Sequence, residues 1–267
     1  MQLDAKHDNL ITILKNYGRV AVAFSGGADS SLLLKCALDT LGTKNVLMLF
    51  AHSELLMPVE IEHAVQWPRA NGHAHAIEME MVELEPLTWE EFVCNGENRC
   101  YFCKRNMYAR FRESMEQRAF TWLIDGTNMD DLKEHRAGLR AIRELGVRMP
   151  FVDAGFSKAD VRLLSQRAGL ATWDRPSSSC LATRIPAGMR ITRERLQQAA
   201  MLENGMEQFG LVGCRVRLCA GREHEVHVEI RSQDFARLAE SGVRMALLGH
   251  FRHHGISKVL LFLQGRE

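Results

Sequence analysis

The segment Ser25-Gly26-Gly27-Ala28-Asp29-Ser30 gathers two glycines, two hydroxyls and a carboxylate into six positions. Glycines let the main chain approach phosphate oxygens with no Cβ in the way. A loop that feeds a helix also offers an anion backbone amides and the positive end of the helix dipole. The lysine of a GxxxxGK[ST] loop is absent, which sets this segment apart from kinases and GTPases. Asp29 would help position Mg²⁺ on a polyphosphate. A second group is Cys100-Tyr101-Phe102-Cys103, with Cys180 further on. A zinc site wants a fourth ligand, and His52, His63, His73 and His135 stay open for that place without motif spacing. A thioredoxin-like C-x-x-C is expected to open a helix after a strand, and residues 95–99 do not read as one. Three thiolates on a [4Fe–4S] cluster would leave one iron open to an exogenous sulfide, and three unrelated thiols are the bland alternative. A third group is Arg215 and Arg217. Residues two apart on a strand share a side, so the pair suits a nucleotide phosphate, or else a solvated polar face.

The elements that must hold these groups alternate. Leu3, Leu10, Ile13, Leu14 and Tyr17 recur at helical spacing, and Arg19 to Phe24 reads as a short buried strand ahead of the glycine loop. Helix is expected over Ser30 to Leu41 and strand over Val46 to Phe50. Pro58 opens a helix that Pro68 should interrupt or end. Strands are expected at His73 to Met79 and Thr121 to Asp125, with helix around Lys104 to Arg118 between them. A further helix over Ser157 to Ala168 has Ser157 and Asp160 at capping-box spacing. This alternation predicts an α/β fold with a doubly wound parallel sheet whose ligands bind at one edge, after the strands. From Thr192 the pattern changes to a helix burying Leu196, Ala199, Leu202, Met206 and Phe209. Alternating strands follow at Cys214 to Cys219 and Glu225 to Arg231, then a helix from Ser232 and a strand from Lys258 to Leu263. The expected division is 1–175 for the nucleotide domain, 176–191 for a cysteine-bearing loop and linker, and 192–267 for a smaller C-terminal α+β domain.

Composition excludes more than it suggests. The 267 residues carry 34 basic and 33 acidic side chains, so a charge of +1 gives no electrostatic reason to expect nucleic acid or a membrane surface as partner. No apolar run approaches the ~20 residues of a membrane span. The segment from Met1 to Tyr17 carries Asp4, Lys6, His7, Asp8 and Lys15 where a signal peptide would be apolar. The expectation is a cytoplasmic protein whose seven cysteines are not paired in disulfides. Cys36, Cys214 and Cys219 read as small buried residues.

The Ser-Gly-Gly-x-Asp-Ser loop resembles the PP-loop of N-type ATP pyrophosphatases, which cleave ATP between the α and β phosphates and adenylate a substrate. GMP synthetases, NAD synthetases and tRNA thiolases share it. Further matches are His52-Ser53-Glu54-Leu55, Asp125-Gly126-Thr127-Asn128, His135-Arg136-Ala137-Gly138-Leu139 and Ser157-Lys158-Ala159-Asp160-Val161-Arg162. The last is Ser179-Cys180-Leu181-Ala182-Thr183-Arg184-Ile185-Pro186-Ala187-Gly188. With the PP-loop they make nearly the whole chain similar to the LarE family, ATP-dependent sulfur transferases of nickel-pincer nucleotide biosynthesis. The resemblance implies an adenine nucleotide α-hydrolase-like fold. It implies ATP at Ser25, Gly26, Gly27, Asp29, Ser30, Ser53 and Gly126, with Mg²⁺, and a carboxylate of pyridinium-3,5-biscarboxylic acid mononucleotide as the group adenylated and thiolated.

Cys180 matches the cysteine that one branch of that family sacrifices as its sulfur source. Cys100 and Cys103 instead match the branch in which three cysteines hold a [4Fe–4S] cluster carrying a sulfide, so Cys180 becomes a ligand and turnover can repeat. Arg215 and Arg217 match arginines that hold the substrate phosphate. Arg184 is expected on the acyl-adenylate or AMP phosphate. Glu203, Glu229 and Asp234 match carboxylates that bind a divalent metal at a subunit interface. The resemblance makes 192–267 a substrate-binding and oligomerisation domain in a homohexamer, fed by a sulfide donor. Two rival expectations are a PP-loop iron–sulfur tRNA thiolase and a non-catalytic iron–sulfur sensor with ATP as a regulatory ligand.

Overall fold

The computed structural model describes residues 2–73, 77–133, 137–176 and 179–266. The chain forms two compact units, one of Met1–Glu85 with Asn98–Ser177 and the other of Pro86–Glu97 with Ser178–Glu267.

The first unit is α1 (Gln2–Tyr17), β1 (Val20–Phe24), α2 (Ala28–Leu41), β2 (Val46–His52), α3 (Pro58–Ala70) and β3 (Glu78–Glu83), then, after α4 (Glu90–Val93) of the other unit, α5 (Arg99–Gln117), β4 (Trp122–Ile124), α6 (Ala137–Glu144), α7 (Pro150–Asp153) and α8 (Lys158–Arg167). Its sheet runs β3-β2-β1-β4, every pairing parallel, with Val20 opposite both Val46 and Trp122. All five residues of β1 and the first five of β2 are buried, as unbroken apolar strands covered on both faces by helices must be. Edge strand β3 instead mixes Glu78, Glu80 and Glu83 with Met79, Met81 and Val82 and breaks its alternation at Val82, and charge on an edge discourages pairing with another chain. Leu10 and Leu14 of α1, Leu32 to Leu34 of α2, and Phe151 and Phe156 fill the core around the sheet.

The doubly wound parallel sheet and the smaller C-terminal sheet are as expected, and several boundaries move. Helix α2 begins at Ala28, two residues before the expected start. The strand expected over His73 to Met79 runs from Glu78 to Glu83, and residues 74–76 lie outside those described. Pro68 sits inside the last turn of α3, which continues to Ala70. So close to a helix end, the proline removes little of the hydrogen-bond ladder. The Ser157–Asp160 capping box is present, with Asp160 N–H donating to Ser157 Oγ at 3.2 Å and Ser157 N–H to Asp160 Oδ2 at 2.9 Å.

The second unit contains α4 (Glu90–Val93), α9 (Arg193–Glu207), β5 (Arg215–Leu218), β6 (Glu225–Glu229), α10 (Phe235–Ala239), α11 (Ser241–His253) and β7 (Lys258–Leu261). β5 pairs antiparallel with β6, and β6 parallel with β7. Val216, Leu218, Val226 and Val228 form the buried face with Leu196, Leu202, Met206 and Phe251. Thr192 caps α9 through Arg195 N–H at 3.4 Å. The helix expected from Ser232 is a 3-10 turn, Ser232–Asp234, followed by α10 and α11. Among the described residues no helix is long and apolar enough to cross a membrane.

Sequence proximity does not reveal that residues 86–97 belong to this second unit. Asn95, 1% exposed and at a φ of 56°, donates through Nδ2 to the carbonyls of Pro186 at 2.7 Å and Met189 at 2.9 Å. Gly188 N–H donates back to the Asn95 carbonyl at 3.0 Å. Asparagine tolerates a left-handed backbone better than most residues because its short polar side chain can bond backbone groups. Here those bonds fix the segment that follows Cys180.

Candidate active site

β1 ends at Phe24, and the chain turns at Gly26 with φ +77°, a left-handed value that favours glycine. Gly27 is the N-cap of α2. Ser30 closes the loop on itself. Its Oγ accepts from Ser25 N–H at 3.2 Å, donates to the Gly27 carbonyl at 3.3 Å and lies 3.1 Å from Ser25 Oγ. β1 sits between β2 and β4, so the chain leaves neighbouring strands in opposite directions and opens a crevice after their carboxyl ends, where open α/β sheets bind ligands.

Gly126, which follows β4 after Asp125, meets the loop there. A Cβ on Gly126 would stand 3.0 Å from both the Asp29 carbonyl carbon and Ser30 N. Only glycine lets the two backbones come so close. Asp125 beneath it is buried, accepting from Tyr108 Oη at 2.7 Å and from Thr127 N–H at 3.1 Å. Burial, then the charge of Asp125, push the Tyr108 phenol well above its ordinary pKa, so it stays a donor. Ser53 follows β2 and accepts from Leu55 N–H at 3.3 Å, a local turn at the same sheet edge.

Two groups that sequence reasoning did not single out act on Asp29. Asn128 Nδ2 donates to Asp29 Oδ1 at 3.1 Å, while Asn128 Oδ1 accepts from Asp130 N–H at 3.0 Å. Lys158, the first residue of α8, pairs with Asp29 Oδ2 through Nζ, and its own N–H is held by Asp130 at 2.7 Å. Arg175 Nη1 donates to the Gly26 carbonyl at 3.3 Å. The loop lacks a lysine in sequence, yet a lysine and an arginine stand against it in space. The signal was present in Asp125–Asn128 and Ser157–Lys158, which are separate in sequence and converge only through the fold.

Cys100 and Cys103 are the second and fifth residues of α5, so this C-x-x-C does open a helix, but the residues 95–98 before it form no strand. Positions three apart lie on one helix face, and neither thiol is buried. Gly138 of α6 packs there, its Cβ position 3.1 Å from Lys104 Cγ and 3.7 Å from the Cys100 carbonyl. His135 and Arg136 of the same expected motif, and Ser177 and Ser178 of the serine-rich loop, lie outside the described residues.

In the second unit Cys180 precedes the 3-10 turn Leu181–Arg184 and is partly exposed. Arg184 is only 5% exposed. Its Nε and Nη2 hold Glu203 at 2.6 and 2.9 Å, and Nη1 donates to Ser179 O, Ser179 Oγ and Thr183 Oγ1, each at 2.8 Å. Expected on the acyl-adenylate or AMP phosphate, it is engaged here by Glu203 and by the turn that carries Cys180. Glu203 Oε1 also accepts from Val216 N–H at 2.8 Å. Glu229 pairs with Arg217, and Asp234 with Arg231 at 3.0 Å. Among the described residues these three carboxylates do not come together as a metal-ligand group within one chain.

Arg215 and Arg217 do share one face of β5, opposite Glu229 and His227 of β6. Arg217 Nη1 donates to the Thr183 carbonyl at 2.6 Å, which ties this face to the cysteine turn. Burial first, then repulsion from Arg266 and Arg184, bring the Arg215 guanidinium down to about 10. An anion bound there would relieve that repulsion. Burial, then the Asp39 and Glu203 charges respectively, push the Cys36 and Cys214 thiols up to about 12, in keeping with inert packing. Cys219 is not one of these packing thiols. It is partly exposed, just past the end of β5.

No family model matches the chain. Sequence comparison finds an uncharacterised protein of Synechocystis sp. that is 33% identical over 265 residues, covering 99% of this chain and 96% of that one. The pyridinium-3,5-bisthiocarboxylic acid mononucleotide synthase of Lactiplantibacillus plantarum is 33% identical over 215 residues, 80% of this chain and 76% of its own. An uncharacterised protein of Methanocaldococcus jannaschii is 25% identical over 257 residues, 96% of this chain and 94% of that one.

Proposed function

Because this chain belongs to the LarE family of pyridinium-3,5-bisthiocarboxylic acid mononucleotide synthases, we propose that it is an ATP-dependent sulfur transferase acting on a small pyridinium nucleotide. It adenylates a carboxylate of pyridinium-3,5-biscarboxylic acid mononucleotide with release of pyrophosphate. A sulfur nucleophile then attacks the acyl carbon, AMP leaves, and a thiocarboxylate remains. Adenylation is required because a carboxylate oxygen is a poor leaving group, whereas AMP departs as a stabilised phosphate anion.

The observation that carries this reading is the convergence on Asp29. The Gly126 backbone packs against it, and Asn128 and Lys158 hold its carboxylate. The amides at the start of α2 suit the pyrophosphate, and Lys158 and Arg175 supply the positive charge that the loop lacks. Asp29 would hold Mg²⁺, which draws charge from the phosphates. Arg215 and Arg217 would take the phosphate of the pyridinium nucleotide. Arg184 acts as a positioning residue, fixing the Cys180 turn through Ser179 and Thr183.

Cys100, Cys103 and Cys180 would hold a [4Fe–4S] cluster. The donor chemistry fits iron, since Cys100 and Cys103 present two thiols from one helix face. When bound, such a group supplies a sulfide, and the protein thiols stay intact between turnovers. The test is an anaerobic assay of the iron-reconstituted protein with ATP, Mg²⁺, sulfide and the biscarboxylate mononucleotide. The expected result is pyrophosphate together with the mass gain of a thiocarboxylate over many turnovers. Thiolated tRNA in place of that product would move the assignment to a tRNA thiolase.

A further inference from the structure

The polar face of the small sheet carries a second constellation, beyond the two arginines. Along β5 the face reads Arg215, Arg217 and then Cys219, and along β6 it reads Glu229, His227 and Glu225. The register pairs Arg215 with Glu229 and Arg217 with His227. Cys219, the next residue of that parity, falls beside Glu225 and His227, and one ligand atom from each of the three lies within 4.8 Å of the others. We propose that Cys219 Sγ, a Glu225 carboxylate oxygen and the His227 imidazole form a binding site for a zinc-type divalent cation.

The donor set is sulfur, nitrogen and oxygen, which suits a borderline-soft ion; magnesium and calcium prefer all-oxygen shells. Three protein ligands leave a fourth position for water or an anion. Cys219 and Glu225 line a cavity of about 740 Å³ with Arg195, Arg222, His224 and Lys258, so solvent reaches the site. Glu225 is 7% exposed. Its Oε2 accepts from Lys258 Nζ at 2.9 Å, while Oε1 accepts from Arg222 Nη1 at 3.0 Å, a bond an incoming cation would displace, and lies 3.8 Å from His227 Nε2. With Lys258 on one oxygen the carboxylate stays oriented, as ligating carboxylates usually are, and the other oxygen is on the histidine side. Burial, then the Glu225 charge, raise the Cys219 pKa. This site shares no residue with Cys100, Cys103 and Cys180, and the inference does not depend on the proposed sulfur transfer.

Cobalt(II) is the probe, added to metal-free reduced protein under argon. One cobalt per chain is expected to give a thiolate-to-cobalt charge-transfer band and intense visible bands of a four-coordinate site, both removed by added zinc(II). In the Cys100→Ala/Cys103→Ala/Cys180→Ala background, which removes the three thiols proposed for iron, Cys219→Ser should abolish the charge-transfer band, and His227→Ala should abolish the four-coordinate visible bands. The Cys100→Ala/Cys103→Ala/Cys180→Ala protein should keep both. His227 is half exposed, so His227→Ala gives a folded variant on which the result can rest. Unchanged spectra in Cys219→Ser and His227→Ala, loss of the bands only in the triple variant, or no bands at all would overturn the site.

Discussion

Arg184 and Asp29 separate what residue types alone could say from what their surroundings add. Both stood out in the sequence, Arg184 for a phosphate and Asp29 for Mg²⁺. Arg184 has a buried carboxylate, two hydroxyls and two carbonyls around it. Removing one partner of a buried pair leaves the other charge uncompensated, at a cost of about 3–5 kcal/mol. Glu203→Gln is therefore expected to lower the urea midpoint strongly, and to do so equally with and without a chelator, because its partner is Arg184. A chelator-sensitive loss would instead make Glu203 a metal ligand. For Asp29→Asn the expectation is a roughly 10²–10³-fold fall in pyrophosphate release, the usual scale for losing one preorganised electrostatic group, with the circular dichroism spectrum unchanged. Lys158→Ala should fall in the same range. Lys158 was not singled out in the sequence, because its loop partner lies more than a hundred positions away and nothing local marks the pairing.

At the scale of elements, most of the fold was legible. Unbroken apolar runs marked β1 and β2, the capping-box spacing marked α8, and helical spacing marked α1. What periodicity could not place was the edge strand β3, where Glu78 and Glu83 are exposed but Glu80 is partly buried against Ser114 and Arg118, and the allegiance of residues 86–97. That second point rests on Asn95 reaching the carbonyls of Pro186 and Met189, contacts without a local pattern. The start of α5 at Arg99 was also missed, so the C-x-x-C was placed ahead of the helix when it opens it. Gly126 was matched by resemblance, and the reason for it is now steric. Gly126→Ala must push Asp29 and Ser30 apart against a Cβ placed 3.0 Å away. Overpacking of this kind costs about 1–3 kcal/mol, and both a lower melting temperature and a higher KM for ATP are expected. A change in stability alone, with the KM unmoved, would separate Gly126 from the nucleotide site.

For the molecule as a whole, the net charge of +1 conceals local asymmetry. Arg184, Arg215, Arg217 and Arg266 act on one another in the second unit, offset by Glu203 and Glu229. Burial alone would raise the Glu229 pKa, but its hydrogen bond from Arg217 and the charges of Arg217, Arg215 and Arg266 outweigh that and lower it. A carboxylate depressed in the folded state contributes stability above its unfolded value, and that contribution disappears as pH falls through the folded one. Asp160 follows the same sign, its burial outweighed by hydrogen bonds from Lys6 and Ser157. Stability measured by denaturant titration should therefore drop as pH falls below about 4, and Glu229→Gln should flatten that part of the curve.

The central claim is catalytic sulfur transfer with the cysteines preserved, and one anaerobic experiment addresses it. Iron-reconstituted protein is given excess ATP, Mg²⁺, sulfide and biscarboxylate mononucleotide, and thiocarboxylate formed per chain is followed with the intact mass of the protein. The account predicts many equivalents of product, matching pyrophosphate, an unchanged protein mass, and loss of turnover in Cys100→Ala. A single equivalent of product accompanied by loss of sulfur from Cys180 would contradict it.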